Sequence, residues 1–476
     1  MRQSRLALRP STSRAHRAVL GLACAIALAD CSTPGPAPLE PSATLAEYSA
    51  RRLDSLTPEL PPPSSGWDRA EWLAAALRLN PHLAEQRAEV EEVAAGERTA
   101  AEHPNPSMQL FAEYLTSAAQ STAWLYGVSM DFLLRQPGER GRAQRRAALQ
   151  TALAKSDLAE SLWQVRAALR QALLDAVSAQ AETALLHSLV TQRQALLEAD
   201  RRRLQLGDIP RAQLLSDELE LSHAQQREQQ ARARSADAVA RLASAVGVPV
   251  AALDEVPLRW NGWDDIGSLS AESASHWRTE ALIARPQVIH ALREYDLAEV
   301  GLQSELARRW PQIHVTPAYA WGGGGVRQNT LYDIASEAGV AMSFELPIFN
   351  QHQGPIGEAL ARRTAAGEHL KAVQADIFGQ IDRAELAWPA ARQAWADTRG
   401  TADLAERQRE VERHALAAGQ VERASLLSAE IAATEARLVV LQAAYNAQMV
   451  FGALEDAYRR PLQGDEGRWL TAAPHS

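Results

Sequence analysis

Cysteine is nearly absent from the sequence, with Cys24 and Cys31 as the two examples in 476 residues. Cys24 lies in an uncharged run, residues 18–29, that follows five arginines and precedes the first acidic residue, Asp30. A basic stretch followed by a short apolar stretch is typical of an export signal, so residues 1–30 are predicted to be removed. The mature chain then keeps a single cysteine, which excludes an internal disulfide and a cysteine metal cluster.

Cys31 itself is the predicted lipidation site. Residues 28–31, Leu-Ala-Asp-Cys, resemble the cleavage motif of bacterial lipoproteins, in which the cysteine is acylated and becomes the first residue. Asp30 departs from the small residue expected before that cysteine. Cleavage after Ala29 at an A-x-A site is the open alternative, and it would leave a chain without lipid.

A net positive charge and long apolar runs are also absent. The formal charge is −9 for the full sequence, and removal of five arginines and one aspartate with residues 1–30 takes it to −13. An acidic exported chain without a basic run is a poor candidate for nucleic-acid binding. After the signal, no stretch is apolar over the ~20 residues that a transmembrane helix needs.

Motifs of enzymes and metal sites are missing as well. The glycine run 322–325, in a predicted loop, lacks the Lys-Ser/Thr of a phosphate-binding loop. The twelve histidines show no H-E-x-x-H spacing. We therefore predict no catalytic residue, no metal site and no cofactor.

What the sequence does contain is a long internal duplication. Two glycine-centred stretches match at an offset of 212 residues, and each has the pattern of a helix that ends at a glycine and restarts in an apolar run. We predict two repeats, residues 67–250 and 272–460, joined by a linker at 251–271. A proline-rich extended segment, 31–66, precedes them and a tail, 461–476, follows. The matching pairs are Leu204/Leu416, Gly207/Gly419, Arg211/Arg423, Leu214/Leu426 and Leu215/Leu427.

Each repeat contains a stretch in which apolar and polar residues alternate. In the first copy one face carries Trp124, Tyr126, Val128, Met130 and Phe132, and the other carries small or polar residues. This alternation over about ten residues is typical of a strand in a membrane β-barrel. We predict two strands per repeat, within about 107–133 and about 312–346. Aromatic residues make up only 5% of the sequence, yet 11 of the 26 lie in residues 111–132 and 310–349, as expected for aromatic girdles at membrane interfaces.

Long helices follow the strands. From Leu158 to Leu197 a spacing of four and three is unbroken and apolar except at Thr183 and Arg193, which is the pattern of a heptad seam. At 1.5 Å per residue a long helix of this kind measures ~100 Å, and the two shorter helices of a repeat, laid end to end, match it. Pro389 is expected to kink the second long helix. The predicted long helices are about 141–206 and 354–418, the return helices about 210–247 and 421–458, and a further helix at about 68–102 precedes the first strands.

Four strands per chain are too few to close a barrel. An open sheet edge in lipid would leave backbone groups without hydrogen-bond partners, so the chain must oligomerise in order to enter a membrane. The sequence alone leaves two alternatives, eight strands from two copies and twelve from three.

The export signal, Cys31, the duplicated helix-strand-strand-helix-helix unit and the Leu-x-x-Gly stretches at Gly207 and Gly419 together resemble outer-membrane efflux proteins of the TolC type. The resemblance covers nearly the whole mature chain. It implies an α+β membrane protein, a homotrimer whose twelve-stranded β-barrel in the outer membrane continues into an α-helical coiled-coil tunnel across the periplasm. It also implies two partners, a periplasmic adaptor (membrane fusion protein) and an inner-membrane pump of the resistance-nodulation-division type. Residues 126–142 look closest to the subgroup that serves heavy-metal pumps.

The same resemblance assigns a site and a function. Some members place acidic residues six and nine positions after the second tip glycine, but this sequence has Ser425 and Ser428 there. The function implied is a passive conduit that performs no chemistry, and the alternative is a lipid-anchored periplasmic coiled-coil scaffold without channel activity. The implied adaptor-docking tips are Leu204, Gly207, Arg211, Leu214, Leu215, Leu416, Gly419, Arg423, Leu426 and Leu427. The remaining candidates for entrance charges are Asp208, Asp217, Glu218 and Glu422, and the alternative for these four is the solvated face of a charged helix.

Overall fold

The computed structural model describes residues 35–56, 60–114, 124–254, 256–265, 267, 271–322, 324–327, 330–333 and 336–472. The predicted signal peptide, 1–30, and Cys31 lie outside these residues. The chain divides into two units, residues 1–50 and residues 51–476. In its described part the first unit forms one helix, α1 (Pro41–Ser49), with a proline at its start.

The second unit holds the remaining helices and all the described strands. Short 3₁₀ turns lie at Leu53–Leu56, Pro63–Ser65 and Val250–Leu253. The strands are β1 (Ser107–Tyr114), β2 (Trp124–Leu134), β3 (Ile313–Trp321), β4 (Gly324–Arg327), β5 (Thr330–Asp333) and β6 (Ser336–Phe344). The helices are α2 (Arg69–Leu79), α3 (Pro81–Ala101), α4 (Glu139–Leu206), α5 (Arg211–Val246), α6 (Ala271–Ala284), α7 (Pro286–Ala307), α8 (Gln353–Ala417), α9 (Arg423–Tyr458) and α10 (Gly467–Ala472).

The helix expected at about 68–102 is divided in two at Asn80 and Pro81. Proline disfavours the helical conformation of the residue before it, and Asn80 is accordingly extended, with ψ of 120°. The Asn80 side chain then accepts a hydrogen bond from the backbone N–H of His82 at 3.0 Å and caps the start of α3. By contrast, α8 continues through Pro389 without a break.

Four strands form one antiparallel sheet in the order β1-β2-β3-β6. The β2–β3 pair joins the two halves of the chain and places Val128 opposite Tyr319. Pairing between β2 and β3 is interrupted at Pro317, which has no N–H to donate. Within the segment that the sequence predicts as a glycine loop, Gly324 and Gly325 instead belong to β4, which pairs with β5 in a separate hairpin.

The six longest helices of the second unit pack side by side in a fixed order. In the half next to the sheet, α4 lies between α3 and α7, and α7 contacts α8. In the other half, α4 lies between α5 and α9, and α9 contacts α8. The two 68- and 65-residue helices, α4 and α8, therefore run through both halves, while pairs of shorter helices share the remaining places.

The main hydrophobic core lies where α2 and the C-terminal end of α5 pack against α4. It includes Trp67, Trp72 and Leu173, which are fully buried. Leu53 and Leu56 also belong to this core, although the sequence predicts an extended segment at 31–66. The proline-rich segment lacks the regular apolar spacing of a helix or strand. The burial of these two leucines was therefore not predicted from the sequence.

Next to this core a charged cluster is completely buried. Arg166 is 1% exposed and donates hydrogen bonds to Glu455 at 2.8 Å and to Glu466 at 2.6 Å. The neighbouring Arg170 lies over Gly452, where any Cβ would overlap its guanidinium group. The cluster ties the middle of α4 to the end of α9 and to the segment that follows α9.

Candidate functional site

The four-stranded sheet has one apolar and one polar face. The apolar face is the more exposed: Tyr126, Met130 and Phe132 keep between 37% and 42% of their surface accessible. Cross-strand neighbours continue this face, since Met130 lies opposite Met108 in β1 and Val315 lies opposite Met342 in β6. A continuous exposed apolar face of this size is unusual for a protein surface in water and marks a contact with lipid or protein.

Aromatic side chains form a band on the apolar face at the end of the sheet far from the helices. The ring centroids of Tyr114 and Trp124 are 5.1 Å apart, those of Trp124 and Tyr126 are 6.2 Å apart, and those of Tyr126 and Trp321 are 6.3 Å apart. Tyr319 extends the band, 5.8 Å from Trp321. A row of tyrosine and tryptophan across neighbouring strands is the arrangement found at a membrane interface.

The opposite face of the sheet carries the polar residues. Asp131 accepts a hydrogen bond from Thr316 at 2.9 Å and lies 2.9 Å from the Nδ1 atom of His314. Phe111, Leu125 and Leu133 are apolar exceptions on this face, and the Phe111 ring covers Gly127 so closely that a Cβ at Gly127 would overlap it. The two faces thus differ in the way that separates a lipid-facing surface from a water-filled interior.

Both edges of the layer lack a partner within the described part of this chain. β1 pairs with β2 alone and β6 pairs with β3 alone. The helical part also has two free edges. The helices α3 and α5 lie on the same edge as β1, and α8 lies on the same edge as β6. Two different edges, each running from sheet to helix end, are therefore available to another copy.

The two predicted tips end their long helices in the same way. Gly207 has φ of +85°, its N–H donates to the carbonyl of Leu204 at 3.1 Å, and the N–H of Asp208 donates to Arg203 at 2.8 Å. At the second tip Gly419 has φ of +71° and its N–H donates to Leu416 at 3.0 Å. This double hydrogen bond with a left-handed residue is a helix C-cap for which glycine is preferred.

The fold brings the two tips together. Arg203 lies 3.0 Å from Asp200 on its own helix and 3.2 Å from Glu422, which immediately precedes the second return helix. The hydrogen bond to Asp200 and the charge of Glu422 raise the pKa of Arg203, which therefore stays charged. Arg203 and Asp200 are absent from the predicted site, although their spacing of three residues on one helix could have indicated the pair.

The predicted tip residues differ in exposure. Gly207, Arg211, Leu215, Gly419 and Arg423 are exposed, and Leu204, Leu214, Leu416 and Leu426 are half-buried. Leu427 is buried in a core that joins the two hairpins, so it supports the tip from inside. Leu206, which the prediction omits, is 78% exposed and adds an apolar side chain to the tip surface.

The predicted entrance charges also differ in exposure. Asp208, Glu218 and Glu422 are exposed, whereas Asp217 is only 8% exposed. Burial and then the neighbouring carboxylate of Asp200 raise the pKa of Asp217, while the side-chain amide of Gln213, 3.2 Å away, opposes this effect. Asp217 is therefore an internal acid of the first hairpin and not a side chain on its surface.

None of the described helices is both long enough and apolar enough to cross a lipid bilayer.

Comparisons with known proteins agree with this geometry. Residues 277–457 match the family model described as "Outer membrane efflux protein". No curated protein sequence matches the chain. The structure is similar to the CmeC outer membrane channel of Campylobacter jejuni, with 13% identity and a TM-score of 0.66 over 87% of this chain and 90% of that one.

Two further channels have the same fold. CusC, solved in a study of folding and transmembrane channel formation, is 15% identical with a TM-score of 0.65 over 89% of this chain and 98% of its own. The open state of the Neisseria gonorrhoeae MtrE outer membrane channel is 17% identical with a TM-score of 0.65 over 84% of this chain and 90% of its own. At these identities the likeness establishes the fold, a mostly helical chain with a four-stranded antiparallel sheet.

Proposed function

We propose a function that starts from the resemblance to TolC-type outer-membrane efflux proteins, which the family model and the fold bear out. The protein is the outer-membrane channel of a tripartite efflux or secretion system, and it conducts solutes passively from the periplasm to the exterior. The observation that carries the proposal is the sheet with one exposed apolar face, an aromatic band and two free edges, continuous with helices about 100 Å long.

The dimensions of the sheet support its place in a membrane. At about 3.3 Å per residue the 11-residue strand β2 is about 36 Å long. Tilted by about 40°, as in outer-membrane barrels, it would rise about 28 Å, close to the ~25 Å height of their apolar band. The polar face with Asp131 and His314 would then line the interior.

The free edges support a closed ring. The edge formed by β1, α3 and α5 differs from the edge formed by β6 and α8, so one copy would join the next head to tail. Such contacts generate rings when the rotation closes. We propose the homotrimer implied by the resemblance, in which four strands from each copy complete a twelve-stranded barrel and the helices complete a tunnel across the periplasm.

The tips would form the periplasmic end of that tunnel. Arg211, Leu215, Arg423 and Leu206 present charge and apolar surface around the two glycine caps, which suits contact with a periplasmic adaptor bound to a resistance-nodulation-division pump. Energy would come from the pump, and no residue of the channel would react with the cargo. Heavy-metal cations are one cargo class to test, because residues 126–142 look like the subgroup that serves heavy-metal pumps.

Conductance tests the proposal directly. The purified protein, added in detergent to a planar lipid bilayer, is expected to produce discrete, long-lived channel steps, because a closed ring with a polar interior leaves a water-filled path. A protein that stays monomeric and never conducts would contradict the channel. In that case a Cys31→Ala variant that is released without detergent would instead support the lipid-anchored scaffold.

Substitution of Gly419 tests the docking role. Gly419→Val is expected to leave trimers intact but to impair export, because a side chain with positive φ costs roughly 1–2 kcal/mol at the tip. A tip that relaxes out of this conformation must recover it in order to dock, so docking affinity should fall by up to about ten-fold. Accumulation of a fluorescent efflux substrate would be measured in cells with this protein as their outer-membrane channel.

The control is Gly400→Ala, 17 residues before the end of α8. Gly400 has open space around its Cα and lacks a positive φ, so alanine fits the helix there. Export at the wild-type level by Gly419→Val would remove the docking assignment.

A further inference from the structure

Arginine is concentrated where the sheet meets the helices. Residues 135–146, which join β2 to α4, contain five arginines and one glutamate, with no more than two arginines in a row. Arg135 directly follows β2, and the other four lie in the first eight residues of α4, within about 12 Å along its axis. Arg309 precedes β3 by four residues. The junction arginines are Arg135, Arg140, Arg142, Arg145, Arg146 and Arg309.

No junction arginine forms an ion pair with a carboxylate among the residues that the structure describes. Instead, Arg140 lies 3.1 Å from the Nε2 atom of His103, and Arg142 donates a hydrogen bond to the carbonyl of Pro137 at 3.4 Å. Near the far end of the same helix, by contrast, Arg201 has two carboxylates within 3.4 Å. The positive charge at the junction is therefore not neutralised by direct contacts in this part of the chain.

Exposed apolar side chains mark the level of these arginines. Leu134, the last residue of β2, is 50% exposed, and Trp310 is 72% exposed. The side-chain amide of Gln136 donates a hydrogen bond to the carbonyl of Trp310 at 2.6 Å, which places Trp310 beside the start of α4. Tryptophan is enriched at the boundary of the hydrocarbon core, and the headgroup region beyond that core is about 5–7 Å deep on each side. With the apolar face in lipid, the long side chains of the junction arginines therefore lie within reach of the headgroups.

The helices that carry these arginines are not at an edge. In the half next to the sheet, α4 lies between α3 and α7, and α7 lies between α4 and α8. The proposed contacts between copies involve the two edges, which are formed by β1, α3 and α5 on one side and by β6 and α8 on the other. A second copy is therefore not placed to supply the missing carboxylates.

Two neighbouring arginines point to different sides of α4. Consecutive residues of a helix are about 100° apart, and α3 and α7 leave two sides of α4 open. Arg146 lines a groove of about 360 Å³ between α4, α7 and α8. Arg145 is instead close to Glu299, which does not line that groove: a hydrogen bond from Arg363 and, to a smaller extent, the charge of Arg145 lower the pKa of Glu299. Whichever open side is turned to lipid, α4 presents an arginine to it.

We propose that the junction arginines bind the phosphate groups of anionic phospholipids in the leaflet next to the helices. Guanidinium groups form short, charge-assisted hydrogen bonds with phosphate oxygens, and groups of four or more basic residues beside a membrane segment attract anionic lipid. The N-terminus of α4 adds its partial positive charge at the same level. This inference rests on the proposed position of the sheet in the membrane, and it names a further partner that would hold the protein at a fixed depth.

Native mass spectrometry of the full-length protein in detergent tests the proposal by counting bound lipid molecules. The protein is titrated with anionic phosphatidylglycerol and, separately, with zwitterionic phosphatidylcholine, and phosphatidylglycerol should bind more tightly. A double variant, Arg145→Gln with Arg146→Gln, should weaken the binding of phosphatidylglycerol by at least about five-fold, the contribution of one arginine near a membrane surface. Its binding of phosphatidylcholine should stay unchanged.

The matched control is the double variant Arg201→Gln with Arg202→Gln. It removes two adjacent, exposed arginines from the same helix about 84 Å away, so it should bind phosphatidylglycerol as the wild-type protein does. Arg145 and Arg146 are also exposed, so their replacement should leave the fold intact, and circular dichroism checks this point.

Equal affinity of the wild-type protein for the two lipids would overturn the proposal, and this comparison needs no variant. Equal losses in the two double variants would also overturn it, because they would show an effect of total charge and not of position. A protein that conducts in a planar bilayer but does not prefer phosphatidylglycerol would contradict the lipid site alone and leave the proposed channel function in place.

Discussion

Replacement of Arg166 by methionine is expected to lower the free energy of unfolding by about 3–5 kcal/mol, the largest loss of stability predicted for this chain. The guanidinium of Arg166 is buried between Glu455 and Glu466, and both carboxylates are almost inaccessible to water. Burial alone would lower the pKa of Arg166, but the charges of Glu455 and Glu466 raise it, so the arginine remains charged. Methionine would leave two buried carboxylates without their cation.

The two carboxylates depend on Arg166 to different extents. Burial would raise the pKa of Glu455, but Arg166, Arg170 and the backbone N–H of Leu462 hold it below its usual value. Burial raises the pKa of Glu466, and Arg166 only partly offsets this effect. Without Arg166 both carboxyls would hold protons more tightly when folded, so the loss of stability should be present near pH 7 and should diminish as the pH falls towards 4.

Thermal unfolding in detergent, followed by circular dichroism at both pH values, measures this loss. Arg362→Met is the matched control, because Arg362 is 74% exposed and its partner Glu358 is 69% exposed. An exposed pair contributes about 0–1 kcal/mol, so the control should remain close to the wild-type protein. Equal midpoints for Arg166→Met and Arg362→Met would contradict the structural role of the buried cluster.

A second large effect is expected from a charge on the apolar face of the sheet. Met130→Arg should stop the protein from assembling in the outer membrane, because an arginine facing lipid near the bilayer centre costs about 2–4 kcal/mol per chain. Three copies would carry this cost together in the proposed trimer. The measurement is the amount of protein in purified outer membranes and the fraction that migrates as a trimer without heating.

Ser129→Arg supplies a control in the adjacent residue. Ser129 lies on the polar face, where it pairs with Gln109 and Ala318, so its arginine would point into the proposed interior. It should therefore insert and assemble while altering the ion selectivity of the conductance. Equal insertion of both variants, or a failure of Ser129→Arg alone, would show that the apolar face does not contact lipid.

The sequence was most informative where a local pattern repeats. Alternation from Trp124 to Phe132 indicated the strand that the structure places in the sheet, because neighbouring side chains of a strand point to opposite faces. Gly207 and Gly419 indicated the helix ends, because a left-handed cap favours glycine wherever it occurs. The sequence was less informative at Asn80, where Pro81 divides the predicted helix in two. It also did not predict the burial of Leu53, because that residue is not part of a regular apolar spacing.

In the candidate site, too, the sequence predicted some features and missed others. Leu427 matches Leu215 in the duplicated sequence, yet Leu427 is buried between the hairpins and Leu215 is exposed. Asp217 looked like a surface charge and is an internal acid beside Asp200. The two repeats have similar residue patterns, but equivalent residues pack against different parts of the chain. The exposure of a side chain depends on what packs against it, so it differs between the repeats.

The sequence by itself determined the four strands of the sheet, the long helices and the position of each tip, since these follow from side-chain periods of two and about three and a half and from glycine at the caps. Only the tertiary structure decided that α4 lies between the helices of both halves, that Arg203 meets Glu422, and that His369 approaches Glu294. The physical reason is that local patterns express the conformation of consecutive residues. The packing of distant helices depends instead on how complete surfaces fit, which no short stretch of the chain contains.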